Sequence, residues 1–269
     1  TFHVYALQDD TRSYRYIDNK KLFAFADSPV VVGKNTPSKT LYAYQAVKPT
    51  DINPASTAGK PNAADRRLKF QTTVKNNTQD LLQKFRFEFE RPLRTYDTSK
   101  IRFTSDTSFT PLSGYSWSLD STRKKLTLNY TLAEDTRYNF VLQKDFATDT
   151  LGQQLLRADT IRFTTMKTSD YGKLSIRFRN LDLSKNPVLQ FIQNGAVVSS
   201  HPLTADIFSQ PMFLPGEYEM RILYDTNKNG VWDPGQFFGR HKQPELVKPV
   251  PRKSVVIKAN WDNEFEISL

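Results

Sequence analysis

Lys84-Phe85-Arg86-Phe87-Glu88-Phe89-Glu90 alternates charged and aromatic residues at every step. A period of two places Phe85, Phe87 and Phe89 on one face of an extended strand and the charges on the other. The same alternation returns at Leu126, Leu128, Tyr130 and Leu132, at Tyr138, Phe140 and Leu142, and at Ile161 and Phe163. It continues through Leu174, Ile176 and Phe178, then Tyr218, Met220 and Ile222, and ends at Phe265 and Ile267. Each run is short and bounded by Asp, Asn, Ser, Thr, Pro or Gly, the residues that end strands. No segment sustains a helical stripe, although Thr78 to Lys84 has room for one turn. Short strands at regular spacing predict an all-β chain of tandem antiparallel β-sandwiches.

Composition narrows the class. The chain has 269 residues, room for two separately packed cores or one large β domain. Aromatic residues make up 13%, mostly Phe and Tyr, which suits strands. Cysteine is absent, which removes disulfides, thiolate metal sites, thiol nucleophiles and any lipidated cysteine within this stretch. No run of about 18 apolar residues could span a membrane as a helix, and the first residues read as a strand rather than a signal peptide. The net charge is +10, but lysine and arginine mostly alternate with apolar residues, as on the wet face of strands. The densest clusters are Arg240-His241-Lys242 and Arg252-Lys253, too sparse for a polybasic binding segment. Nucleic acid is not an expected partner.

Two breaks divide the chain. Residues 48–64 are polar and proline-rich and read as a linker, and residues 166–172 read as a short hinge. The expected organisation is a partial upstream β-domain at 1–47, the linker at 48–64, an Ig-like domain at 65–168 and a C-terminal sandwich at 169–269.

One stretch suggests a metal site. Asp225-Thr226-Asn227-Lys228-Asn229-Gly230-Val231-Trp232-Asp233 sets side-chain oxygens at alternate positions, then a glycine, then another carboxylate, as in the opening of a D-x-[DN]-x-[DN]-G calcium loop. The candidate ligands are Asp225, Asn227, Asn229, the Val231 carbonyl and Asp233. The twelfth position is Gln236, which cannot replace the bidentate carboxylate of a complete loop. A third carboxylate would have to come from a distant residue such as Asp262 or Glu264. The competing reading is a tight Asn229-Gly230 hairpin turn in which Asp225 and Asn227 bond backbone amides. Calcium is the only cofactor the sequence suggests.

Shifting the numbering by 216 reveals an echo of this unit. Phe2 to Asp9 falls on Tyr218 to Asp225, and Thr11, Ser13 and Tyr16 fall on Asn227, Asn229 and Trp232. Both copies are a strand running into an Asx-rich turn. In the first copy Tyr14 stands where the second has Gly230, so it is the poorer metal loop. The first copy begins inside its strand, so a related upstream domain is expected.

The middle of the chain resembles a known family. Arg91-Pro92-Leu93, Asp97-Thr98-Ser99-Lys100-Ile101, Lys125-Leu126-Thr127-Leu128, Leu132-Ala133-Glu134-Asp135-Thr136-Arg137-Tyr138, Asp149-Thr150-Leu151-Gly152 and Ile161-Arg162-Phe163-Thr164-Thr165 follow the order of the bacterial Ig-like domain of surface-layer proteins. In such a corner Tyr138 buries its ring while its hydroxyl reaches backbone. Leu214-Pro215-Gly216-Glu217-Tyr218 resembles the turn of transthyretin-like or carboxypeptidase-regulatory-like domains. With the 225–233 loop, Gln243-Pro244-Glu245 and Asn260-Trp261-Asp262, the order is similar to Bacteroidetes cell-surface lipoproteins with Ig-like domains. The resemblance implies a transthyretin-like C-terminal sandwich and an outer-membrane or envelope location through a lipid anchor outside this stretch. It implies no reaction. Asp120-Ser121-Thr122, Asp149-Thr150-Leu151 and Asp159-Thr160-Ile161 resemble short O-glycosylation motifs of exported proteins, which is compatible with export.

Catalytic constellations are weak. His3, His201 and His241 share no ligand spacing, Gly114-Tyr115-Ser116-Trp117-Ser118 fails the G-x-S-x-G pattern at its last position, and the Gly-Lys pairs lack a phosphate-binding glycine loop. The expected function is therefore that of a non-catalytic structural or interaction module, a rigid spacer or protein-binding surface, with envelope proteins or surface glycans as partners. A carbohydrate-binding module is the first alternative and would present Tyr42, Tyr44, Tyr115, Trp117 or Trp232 as an exposed platform. An uncharacterised hydrolase is the second and would need two convergent carboxylates, one of raised pKa.

Overall fold

The computed structural model describes residues 1–18, 20–34, 36–46, 67–238, 241–251 and 254–269. The expected linker at 48–64, Arg240 and the Arg252-Lys253 pair lie outside the described residues. The chain forms two compact units. One joins Thr1–Ala58 to Gly172–Leu269, and the other is Gly59–Tyr171. Both are all-β, as the alternation predicts, and no helix among the described residues is long and apolar enough to cross a membrane.

The first unit opens with strands β1 (Tyr5–Leu7) and β2 (Phe23–Phe25), paired antiparallel. The second unit follows. It contains β3 (Phe70–Thr72), β4 (Thr78–Gln79), β5 (Arg86–Phe89), β6 (Leu93–Tyr96), β7 (Ile101–Ser105) and β8 (Thr110–Pro111). It continues with β9 (Ser116–Leu119), β10 (Lys125–Asn129), β11 (Arg137–Leu142), β12 (Ala147–Asp149) and β13 (Asp159–Thr165). One sheet has the order β3-β5-β10-β9 and the other β4-β13-β11-β7-β8, with β6 and β12 as a separate pair. The strands are antiparallel except for β4, which runs parallel to β13. Asn76 and Asn77 both take left-handed φ between β3 and β4, the geometry of a tight turn that lets the chain change sheets.

Alternation dictates how the two sheets meet. Phe85 and Phe87 of the first sheet turn inward and meet Phe140 of the second, with Phe85 at 4.4 Å and Phe87 at 6.0 Å between ring centroids. Phe103 stacks on Phe140 at 4.6 Å, and Phe163 lies against Phe85 at 5.4 Å. All five rings are fully buried, so the aromatic faces predicted from the sequence form one core.

The corner expected at Tyr138 is present. Its ring is buried, and its hydroxyl accepts the Ala133 N–H at 2.9 Å. Tyr138→Phe should cost about 1–3 kcal/mol, because a donor in a partly buried corner loses its acceptor. Chemical denaturation should show a lowered midpoint with unchanged slope, and an unchanged midpoint would show that water replaces the hydroxyl.

The rest of the first unit begins at β14 (Gly172–Arg179), followed by β15 (Pro187–Gln193), β16 (Ala196–Pro202) and β17 (Ile207–Phe213). The remaining strands are β18 (Gly216–Tyr224), β19 (Val247–Pro249), β20 (Val255–Ile257) and β21 (Asp262–Ser268). One sheet runs β17-β14-β21 and the other β16-β15-β18-β19, with β20 also on β18. Strand β21 is parallel to β14, a second exception to the antiparallel rule. Phe191 of β15 meets Phe213 and Phe208 of β17 at 4.7 and 5.8 Å, which closes this second sandwich. The Leu214–Tyr218 turn is locked by the Tyr218 hydroxyl, which donates to the Leu214 carbonyl at 3.1 Å.

Candidate functional site

Strand β18 delivers Asp225 to the sandwich end, where its carboxylate is buried and closes the following loop. Asp225 Oδ1 accepts the Asn229 N–H at 3.2 Å and Oδ2 accepts the Gly230 N–H at 2.6 Å. Asn227 Oδ1 also accepts the Asn229 N–H, and Asn229 Oδ1 accepts the Val231 N–H at 2.7 Å. The Nδ2 groups of Asn227 and Asn229 both donate to Asp233 Oδ2, at 2.5 and 2.8 Å. The five candidate ligand residues are therefore in one loop, with the side-chain oxygens of Asp225, Asn227, Asn229 and Asp233 bonded to the loop's own N–H groups.

The residue that fixes this loop is Glu245, which the sequence reading did not use as part of the site. Its side chain is buried, and Oε1 accepts both the Thr226 N–H at 2.8 Å and the Thr226 hydroxyl at 2.7 Å. Oε2 accepts the Asp233 N–H at 3.0 Å. The Glu245 backbone returns to the loop through its N–H to Asp233 O and its carbonyl from Trp232 Nε1. Only the fold brings Glu245 within reach; a charged residue twelve positions past the loop carries no local signal. Asp262 and Glu264, the suggested distant ligands, lie on β21 in the other sheet, and no group of three His, Asp or Glu side chains suited to a metal exists among the described residues.

The echo is a structural repeat. Tyr5, Ala6 and Leu7 pair with Phe25, Ala24 and Phe23, just as Arg221, Ile222 and Leu223 pair with Pro249, Lys248 and Val247. Asp9 Oδ2 accepts the Tyr14 N–H at 2.7 Å, matching Asp225 and Gly230. Arg12 and Tyr14 take left-handed φ, as Lys228 and Gly230 do at the equivalent positions. The Tyr14 N–H is the main reason that the Asp9 carboxyl is lowered to about 2, with further bonds from Ser13 and Thr11.

The second copy has the longer return to its partner strand, and that extra length covers the first copy. Phe237 packs edge-on against Phe23 at 5.0 Å and Phe25 at 5.2 Å, and Gln243 Nε2 donates to the Phe25 carbonyl at 2.7 Å. Tyr44 and Trp232 complete this small core. Burial pushes the Tyr44 phenol up to about 12. A Cβ on Gly235 would lie 2.6 Å from the Tyr44 ring, so only glycine allows this approach. A cleft of 860 Å³ opens beside the loop, bounded by Tyr16, Tyr44, Asn227, Asp233, Phe238 and Lys242 among others.

The other sequence candidates are dispersed. Tyr44, Tyr115, Trp117 and Trp232 pack into cores, and only Tyr42 is exposed, so these rings form no platform. His201 is half-buried against Phe191 and Phe208, where desolvation lowers its pKa. The hydroxyls of Thr122, Thr168 and Ser184 are the main groups that hold Asp120, Glu134 and Asp182, respectively, below the usual carboxylate range. That shift is opposite to what a general acid needs.

Residues 65–165 match the family described as bacterial Ig-like domain, and the second unit is the Ig-like sandwich of that stretch. No curated protein matches the chain. Among solved structures, native alpha-2-macroglobulin from Escherichia coli, spanning domains MG0-NIE-MG1, aligns at 12% identity and a TM-score of 0.31, covering 69% of this chain and 72% of that one. The N-terminal part of the bacterial S-layer protein SbsC aligns at 16% identity and a TM-score of 0.32, covering 69% of this chain and 44% of that one. Fibronectin(III)-like modules of Clostridium thermocellum CbhA align at 10% identity and a TM-score of 0.21, covering 72% and 95%.

Proposed function

We propose that the chain is a non-catalytic structural and interaction module of a cell-envelope lipoprotein, in which an Ig-like sandwich and a transthyretin-like sandwich act as rigid spacers or as a protein-binding surface. The observation that carries this reading is the bacterial Ig-like match over 65–165. Each unit has its own apolar core, rich in phenylalanine in the Ig-like unit and mainly aliphatic in the other, which suits a rigid module. Fractionation of cells making the full-length protein tests it. The chain should sediment with envelope membranes and resist a salt wash; recovery in the cytoplasmic fraction would sink the proposal.

The 225–233 loop belongs to the same proposal as a weak calcium site, held by Asp225, Asn227, Asn229, the Val231 carbonyl and Asp233. Two carboxylates suit millimolar, extracellular calcium rather than a tight site. Calorimetric titration of the intact chain should give saturable heat that Asp225→Ala and Asp233→Asn both lose. A flat titration would leave a hydrogen-bonded hairpin turn.

A further inference from the structure

The two copies of the repeat differ in what flanks their first strand. In the second copy β18 is central, with β15 on one side and β19 on the other. In the first copy β1 has β2, and no strand among the described residues pairs with its other side. The Gln8 N–H donates to Leu22 O at 2.9 Å and the Ala26 N–H to Val4 O at 3.0 Å, so Val4, Ala6 and Gln8 point their main-chain groups at β2. Tyr224 and Met220 make the matching bonds to Leu246 and Val250. The residues between them point the other way. Arg221 and Leu223 meet Gln190 and Val188 of β15, whereas the N–H and C=O groups of Tyr5 and Leu7 face an open edge. Side chains show the same difference. Tyr218, Met220 and Ile222 are buried in the core of their sandwich, but their counterparts Phe2 and Ala6 are exposed and Val4 is half-buried. The edge is also unguarded. Other edge strands of this unit carry Pro211 in β17, Lys248 and Pro249 in β19, carboxylates along β21, and Pro202 with a register shift in β16. Such features block pairing with another chain, and Thr1 to Gln8 contains no proline and no Lys, Arg, Asp or Glu.

We propose that the open side of β1 accepts an extended, uncharged protein segment that runs antiparallel to it and adds a third strand beside β2 and β1. The chemistry of that segment follows from β15, which fills the same place beside β18. Leu189 and Phe191 of β15 lie opposite Ile222 and Met220, so the partner presents bulky apolar side chains opposite Ala6 and Val4. Ala6 is small and exposed, which leaves room for such a side chain. Main-chain bonds to Tyr5 and Leu7 supply affinity and the two apolar positions supply selectivity, as in other cases of strand addition. The site deepens the protein-binding reading and rests on it, but it does not depend on an envelope location, so peptide binding and cell fractionation fail separately.

The probe is a capped peptide with the sequence of Asn186–Gln193, with lysines added at both ends for solubility, titrated into the intact chain and followed by amide hydrogen exchange. At saturation the Tyr5 and Leu7 amides should slow about ten-fold or more, while the Ala6 amide, which already faces β2, changes little. A Gln190→Pro peptide lacks the N–H that would reach Tyr5 and should not bind; it leaves the protein itself untouched. In the chain, Tyr5→Pro spares the β2 ladder, because that N–H is not used there, and should abolish the protection of Leu7. Absence of binding, equal binding of the Gln190→Pro peptide, or protection confined to strands other than β1 would each overturn the proposal. Protection of Tyr5 and Leu7 that appears without peptide and grows with protein concentration would overturn it as well, since a second copy of the chain would then be the occupant.

Discussion

Phe140→Ala should lower the stability of the Ig-like unit by about 3–5 kcal/mol, the usual cost of emptying a buried phenylalanine site. Phe140 contacts rings from both sheets, with Phe85 and Phe103 inside 5 Å and Phe87, Trp117 and Phe163 around them. The flanking rings belong to strands pinned by register, so the site cannot collapse into the void. Trp117 belongs to this unit's core, which makes its fluorescence a local probe of urea unfolding. A loss below about 1 kcal/mol would show that the sheets close over the gap.

Glu245→Ala should disorder the 225–233 loop and the N-terminal hairpin that rests beside it. Three donors, the N–H groups of Thr226 and Asp233 and the Thr226 hydroxyl, would lose their acceptor together. Each unsatisfied buried donor costs about 1–3 kcal/mol before relaxation or water entry. Glu245→Gln retains one acceptor oxygen and should recover part of the loss. Hydrogen exchange is the direct readout. The amides of Thr226, Asn229, Gly230 and Asp233 should lose protection in the alanine variant, while the β14–β17 ladder keeps its own. Retained protection at Gly230 would mean that Asp225 closes the loop alone.

These two variants mark the difference between what was legible in the chain and what was not. Phe140 could be assigned to a core from its neighbours at 138 and 142, because a buried face in a strand repeats every second residue. Tyr138 was legible as a corner, and Asp225 to Asp233 as a turn, because their bonding is local. The repeat at an offset of 216 was also legible as a strand running into an Asx-rich turn, but the paired left-handed positions at Arg12 and Tyr14 were not, because neither is a glycine. Glu245 was not legible as a loop residue, since its partners lie twelve to nineteen positions away. Trp117 and Tyr44 looked like stacking candidates, but an aromatic residue in a strand has the same local pattern whether its face meets water or another sheet.

The sequence by itself therefore determined the most strongly alternating strands, the all-β class, the turn chemistry of both Asx loops and the Ig-like stretch, because side-chain period and turn residues act over a few positions. Tertiary structure alone decided which sheets those strands join, including the parallel pairs β4–β13 and β14–β21, and how Phe237 and Gln243 cover the N-terminal hairpin. Strand order and cross-strand register bring together residues far apart in the chain, and no local pattern encodes that pairing.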